Sequence, residues 1–150
     1  MAPFFNKKQK GGKIQTDQNF FLVSSMTMGS TIKFVLTYRE AFWRYSNFSG
    51  DFISHGSPIT WMCDVTYQNK TPTLVGFLAG HQAVAYSQMP QDDLKTAILD
   101  QLSIIWGEWA LEPTGFLLEN WLTDSDFIEG GPLCYPGIGT MIDWPSIRAR

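Results

Sequence analysis

Gly29-Ser-Thr-Ile-Lys-Phe-Val-Leu-Thr-Tyr38 alternates along its length and is followed at once by Arg39-Glu-Ala-Phe-Trp-Arg44. In residues 30–38, Ile32, Phe34, Leu36 and Tyr38 fall on one side of an extended chain, and Thr31, Lys33, Val35 and Thr37 on the other. That period of two, rich in β-branched and aromatic residues, predicts a half-buried β-strand with a lysine on the face opposite its apolar row. Composition alone reads Lys33 as a solvent-facing strand lysine or an edge gatekeeper.

Similar apolar runs extend the sheet. A short strand is expected near Phe52-Ile53, between turn-rich stretches at 47–51 and 55–58, and another from Ile59 to Tyr67. A third runs from Thr73 to Ala79 and stops at Gly80, and a fourth spans Phe116 to Leu122. Beyond Thr123 the chain reads as loop. The segment His81–Met89 is a short helix or an irregular crossing. Residues 91–106 give the clearest helix: Pro90 suits its first turn, and Asp92 and Asp93 favour its positive end. Its residues Leu94, Ala97, Ile98, Leu102 and Ile105 follow helical spacing, and Gly107 ends it. The fold class is therefore α+β, a mostly antiparallel sheet with one long amphipathic helix.

The bulk numbers bound the rest. With 150 residues the chain can bury one core. A net charge of −3 gives no electrostatic case for nucleic acid, and the basic cluster Lys7-Lys8-Gln9-Lys10 is short and Gly-flanked. Residues 1–24 read as a polar leader, partly disordered, and 146–150 as a tail. Cys63 and Cys134 are too few for a disulfide framework and lack metal spacing, so reduced thiols are expected. His55 and His81 have no companions for a metal site. Phe20-Phe-Leu-Val23 is too short for a signal core or a membrane span.

The string G-S-x-I-K…Y-x-E-x-F-W-R over Gly29–Arg44 resembles the flavin-containing amine oxidases of the monoamine oxidase type. Four further landmarks follow in order: Gly76-Phe-Leu-Ala-Gly-His81, Ala110-Leu-Glu-Pro113, Asn120-Trp121 and Gly130-Gly131…Pro136-Gly137. The resemblance covers about Met26 to Trp144 and implies that residues 25–145 are part of the family's substrate domain. It implies FAD as cofactor, a small-molecule amine and oxygen as reactants, and oxidative deamination with release of peroxide. The compartment is left unknown, cytoplasmic or mitochondrial being what the family implies.

It also assigns residues. Lys33 is implied to be catalytic and cofactor-binding, pointing at the flavin and holding a water near its N5 atom. Trp121 is implied to pack near the flavin ring, and Trp61 and Phe77 to line the substrate pocket. Read on their own residues, the three aromatics are core packing. In monoamine oxidases a cysteine that bonds to the flavin follows the two glycines, with a tyrosine after it; here Pro132 and Leu133 stand in those places. Cys134 is displaced by two positions, so FAD is expected to be non-covalent.

No G-x-G-x-x-G is present; Gly137-Ile-Gly139 comes nearest, with Ile142 where the third glycine belongs. The family's closing G-T-E step is absent too. The expectation is a fragment lacking the FAD-binding half and inactive as an isolated chain. The alternative is a non-catalytic orphan domain acting as a protein-interaction module, with homo-oligomers formed through its exposed sheet face.

Overall fold

The computed structural model describes residues 24–68, 70–123 and 130–140. The expected polar leader and the tail lie outside these, apart from position 24. The chain divides into two compact units, Met1–Met28 with Leu133–Arg150, and Gly29–Pro132.

In the first unit, β1 (Met26–Met28) pairs antiparallel with β7 (Cys134–Pro136), setting Thr27 against Tyr135. Gly137 N–H donates to the Ser25 carbonyl at 3.2 Å and extends the pairing. The expectation of loop beyond Thr123 is corrected here. Three residues are too few to show a period of two, and only the partner strand makes Cys134–Pro136 extended.

The second unit holds β2 (Thr31–Thr37), β3 (Phe52–Ile53), β4 (Trp61–Asp64), β5 (Thr73–Ala79) and β6 (Gly115–Asn120). They form one sheet in the order β3-β4-β5-β2-β6, antiparallel throughout. Among the described residues three α-helices accompany it, α1 (Phe42–Tyr45), α2 (His81–Tyr86) and α3 (Gln91–Trp106), with a short 3-10 helix at Glu108–Leu111. The long helix falls at residues 91–106 as its periodicity predicts. Pro90 stands just before its first turn as the N-cap, and Gly107 ends it at φ 74°.

The core lies on one side of this sheet. Ile32, Phe34 and Leu36 of β2, Leu74 and Leu78 of β5 and Met62 of β4 are fully buried. They pack with Leu94, Ile98 and Leu102 of α3 and with Phe42 and Trp43 of α1. Gly76 lies opposite Phe34 in the ladder, and a Cβ there would come within 2.1 Å of the Phe34 ring. The glycine of that landmark is thus a space for an aromatic ring.

Two strands end earlier than their hydrophobicity suggests, for the same reason. The Asp64 carboxylate accepts the Thr66 N–H at 2.8 Å, which closes β4 at Asp64 although apolar residues continue to Tyr67. The Asn120 side-chain carbonyl accepts the Leu122 N–H at 3.2 Å and ends β6 two residues before Leu122.

Candidate functional site

The face of β2 opposite the core carries Lys33, and the ladder brings three neighbours to it. Lys33 is paired with Phe77 on β5 on one side and with Glu119 on β6 on the other. Phe77 is in turn paired with Trp61 on β4, and Trp61 with Ile53 on β3. One row, Ile53-Trp61-Phe77-Lys33-Glu119, therefore crosses all five strands.

Packing within the row is specific. The Trp61 and Phe77 rings stack with centroids 5.3 Å apart and planes inclined by only 12°. Lys33 Nζ stands 5.9 Å from the Phe77 centroid, at the outer reach of a cation–π contact. Among the described residues no ion pair joins Lys33 to a carboxylate; the salt bridge found is Arg44 to Asp64. Glu119 is nevertheless its cross-strand neighbour, a negative charge that sequence reasoning did not place. Strand alternation could have put Glu119 on one face with Leu117. Its register against Lys33 needed the fold.

The position of Trp61 is set from the helix side. Gln101 of α3, buried among apolar residues, accepts the Ile59 N–H at 2.9 Å and donates to the Ser57 hydroxyl. Thr60 then joins the Phe77 carbonyl through its N–H at 2.8 Å and the Ala79 N–H through its hydroxyl at 3.0 Å. A glutamine on the core side thus fixes the entry to β4, and Trp61 follows on the open face, 43% exposed.

Trp121 lies in the turn after β6, half-exposed, and among the described residues it makes no ring contact with the row. Its neighbour Asn120 holds that turn. The Asn120 amide donates to the Ser87 carbonyl at 2.9 Å, tying β6 to the end of α2. The structure thus brings Lys33, Phe77 and Trp61 together and leaves Trp121 outside their row.

One further landmark is explained by β2. Gly131 N–H donates to the Gly29 carbonyl and the Thr31 hydroxyl donates to the Gly131 carbonyl, each at 2.8 Å. The Gly130-Gly131 step therefore docks two residues from Lys33. Of the cysteines, burial and the nearby Asp51 and Asp64 push the Cys63 thiol above its ordinary range, which disfavours a thiolate. No group of His, Cys, Asp and Glu among the described residues forms a metal site. No helix among them is long and apolar enough to cross a membrane.

Comparison with known proteins bears on this arrangement. The family model for flavin containing amine oxidoreductase matches residues 13–146. The chain is 34% identical over 122 residues to a probable flavin-containing monoamine oxidase A of Dictyostelium discoideum, covering 80% of this chain and 26% of that protein. It is 28% identical over 128 residues to the flavin-containing amine oxidase B of Bos taurus, covering 79% of the chain and 24% of that protein. The chain thus spans about a quarter of the length of these relatives.

Among solved structures, cyclohexylamine oxidase from Brevibacterium oxydans superposes with a TM-score of 0.78 at 23% identity, over 86% of this chain and 29% of that one. Putrescine oxidase bound to putrescine gives 0.78 at 21% identity, over 87% and 29%. These two show the fold. The family match over residues 13–146 means that the chain belongs to the flavin-containing amine oxidoreductase family.

Proposed function

We propose that this chain forms the substrate-facing part of a flavin-dependent amine oxidase. The observation that carries the reading is the row itself. A flat aromatic pair lies beside a lysine that makes no ion pair among the described residues, on the sheet face away from the core. The donor set fits the ring end of a flavin: an ammonium group favours an electron-rich ring or a water held against it. The same residues do not fit the dinucleotide end, since no glycine-rich turn is present to supply N–H groups to a pyrophosphate.

Under this reading Trp61 and Phe77 offer apolar surface that excludes water from the amine's carbon. The Lys33 ammonium disfavours a second cation beside it, so the amine binds as its free base. In that form the carbon beside the nitrogen can give up a hydride and the nitrogen a proton. The imine left behind is hydrolysed by water to a carbonyl compound and ammonia. A bound flavin supplies the hydride acceptor and is restored by oxygen, with release of peroxide. Lys33 would hold a water near the ring, and Trp121 would pack near it. The proposed cofactor is non-covalent FAD, and the 150 residues alone are proposed not to turn over.

Exposed Ile53 and Leu117, 72% and 69% accessible, favour a second reading in which this face only docks onto another protein. A chimaera that joins the chain to an FAD-binding half separates the two. In it, Lys33→Met should slow reoxidation of reduced flavin by oxygen by about tenfold or more, followed by stopped-flow absorbance. Reoxidation at the unchanged rate would remove Lys33 from the chemistry, and a chimaera with full flavin but no turnover of any amine would favour the docking reading.

A further inference from the structure

On the helix-covered side of the sheet, away from the row, a cavity of about 170 Å³ opens beside α1, the end of α3 and the 3-10 helix. We propose that it binds a small organic cation of the methylated-ammonium class. Six aromatic side chains surround it: Phe42, Trp43, Tyr45, Phe48, Trp106 and Trp109. A guest the size of benzene occupies a cavity of about 150 Å³, so a trimethylammonium group is accommodated.

The floor is rigid. Phe42 and Trp43 are 7% and 1% exposed and meet edge to face at 5.0 Å, and Phe42 meets Trp106 at 6.1 Å. The walls are not needed by the core: Tyr45, Phe48 and Trp109 are 73%, 50% and 70% exposed. Three exposed aromatics around one hollow are an unexplained apolar expense in water, and a ligand that they enclose explains them.

Charge selects the class. The polar groups of three lining rings are turned elsewhere. Trp43 Nε1 donates to Asp64 at 2.9 Å, the Tyr45 hydroxyl donates to Glu40 at 2.9 Å, and Trp106 Nε1 is buried with no acceptor among the described residues. These rings offer π surface, whose faces are negative. The Glu40 carboxylate at Tyr45 adds a formal negative charge. Arg44, the basic residue of α1, is drawn to Asp64 at 2.7 Å. Ring faces with a carboxylate nearby attract a cation that needs no hydrogen-bond acceptor, and repel anions. A quaternary ammonium has no N–H and no lone pair, so such a ligand is not a substrate for the oxidation proposed above.

The test compares choline with 3,3-dimethylbutan-1-ol, which has the same shape and no charge. Each is titrated into the full 150-residue chain while the tryptophan indole N–H signals are followed by NMR. Choline should shift the Trp43, Trp106 and Trp109 signals saturably, and the neutral alcohol should bind about tenfold more weakly. Trp109→Leu should weaken choline by about tenfold, and Glu40→Gln, a surface change that leaves the fold untouched, by about threefold. Equal binding of the two compounds would make the hollow a merely apolar cavity and overturn the proposal. So would the absence of any saturable shift with choline.

Discussion

Gly76 shows how a single position can be read in two ways. In sequence it is the first residue of a family landmark; in space it is the room taken by the Phe34 ring. Gly→Ala in a strand ordinarily restricts the unfolded chain and can stabilise by about 0.4–1 kcal/mol. Here the methyl group would enter a fully buried ring, and overpacking of that kind costs about 1–3 kcal/mol. The clash wins, and Gly76→Ala should lower the midpoint of urea unfolding with an unchanged slope. A second single-residue effect concerns acid. Burial opposes ionisation of Asp64, but hydrogen bonds from Thr66, Trp43 and Arg44 outweigh it and hold the carboxyl below its ordinary value of 3.8. A depressed carboxyl contributes stability that is present above its unfolded value and lost as pH falls through its folded one. Stability should therefore decline below about pH 4 in the native chain, and Asp64→Asn should flatten that decline while lowering stability at pH 7. Equal acid sensitivity of the two proteins, measured by thermal melts across pH, would locate the effect elsewhere.

Strands and helix differ in how plainly they could be read. The alternation over residues 30–38 and the helical spacing over 91–106 were legible because each is long enough to repeat its period several times. The faces they imply are observed: Phe34 is fully buried and Lys33 lies on the opposite side. What could not be read was register. Nothing local in β6 says that Glu119 meets Lys33, and nothing in α3 says that Gln101 reaches across to the loop before β4. Gln101 even interrupts the apolar face of its helix, which periodicity treats as a blemish. Its two hydrogen bonds make it the peg on which Trp61 is hung. Gln101→Leu keeps the helix apolar but leaves the Ile59 N–H without its acceptor, a cost of about 1–3 kcal/mol. Loosening of the Trp61–Phe77 stack should accompany it, visible as line broadening of the Trp61 indole signal and loss of near-ultraviolet circular dichroism. If the stack stays rigid, the strand ladder alone positions Trp61.

The sheet is covered on one face, and on the other it carries Ile53, Trp61 and Leu117 with Lys33 between them. That asymmetry is what the proposed function uses, since a flavin-bearing half would lie against the open face. It also sets what the 150 residues can do alone. A dinucleotide is held chiefly by its pyrophosphate, which requires converging backbone N–H groups at a glycine-rich turn and the start of a helix. The long helix does not offer this. Pro90 stands at its N-cap without an N–H, and Asp92 and Asp93 already occupy its positive end. The nearest glycine pair, Gly137 and Gly139, follows β7 and has Ile142 at the third position. In the proposed site Lys33, Phe77 and Trp61 would meet the flavin's ring, and a stacked ring with one cation is worth a few kcal/mol at most, a millimolar affinity by the usual arithmetic. The purified chain, mixed with excess FAD and then desalted, should therefore emerge colourless, with no flavin absorbance above the protein band. Free riboflavin and FAD should bind with equal weakness, because the ring is the part both share. Protein that stays yellow with one flavin per chain would show that these residues form a complete flavin site, and the open face would then need no covering half.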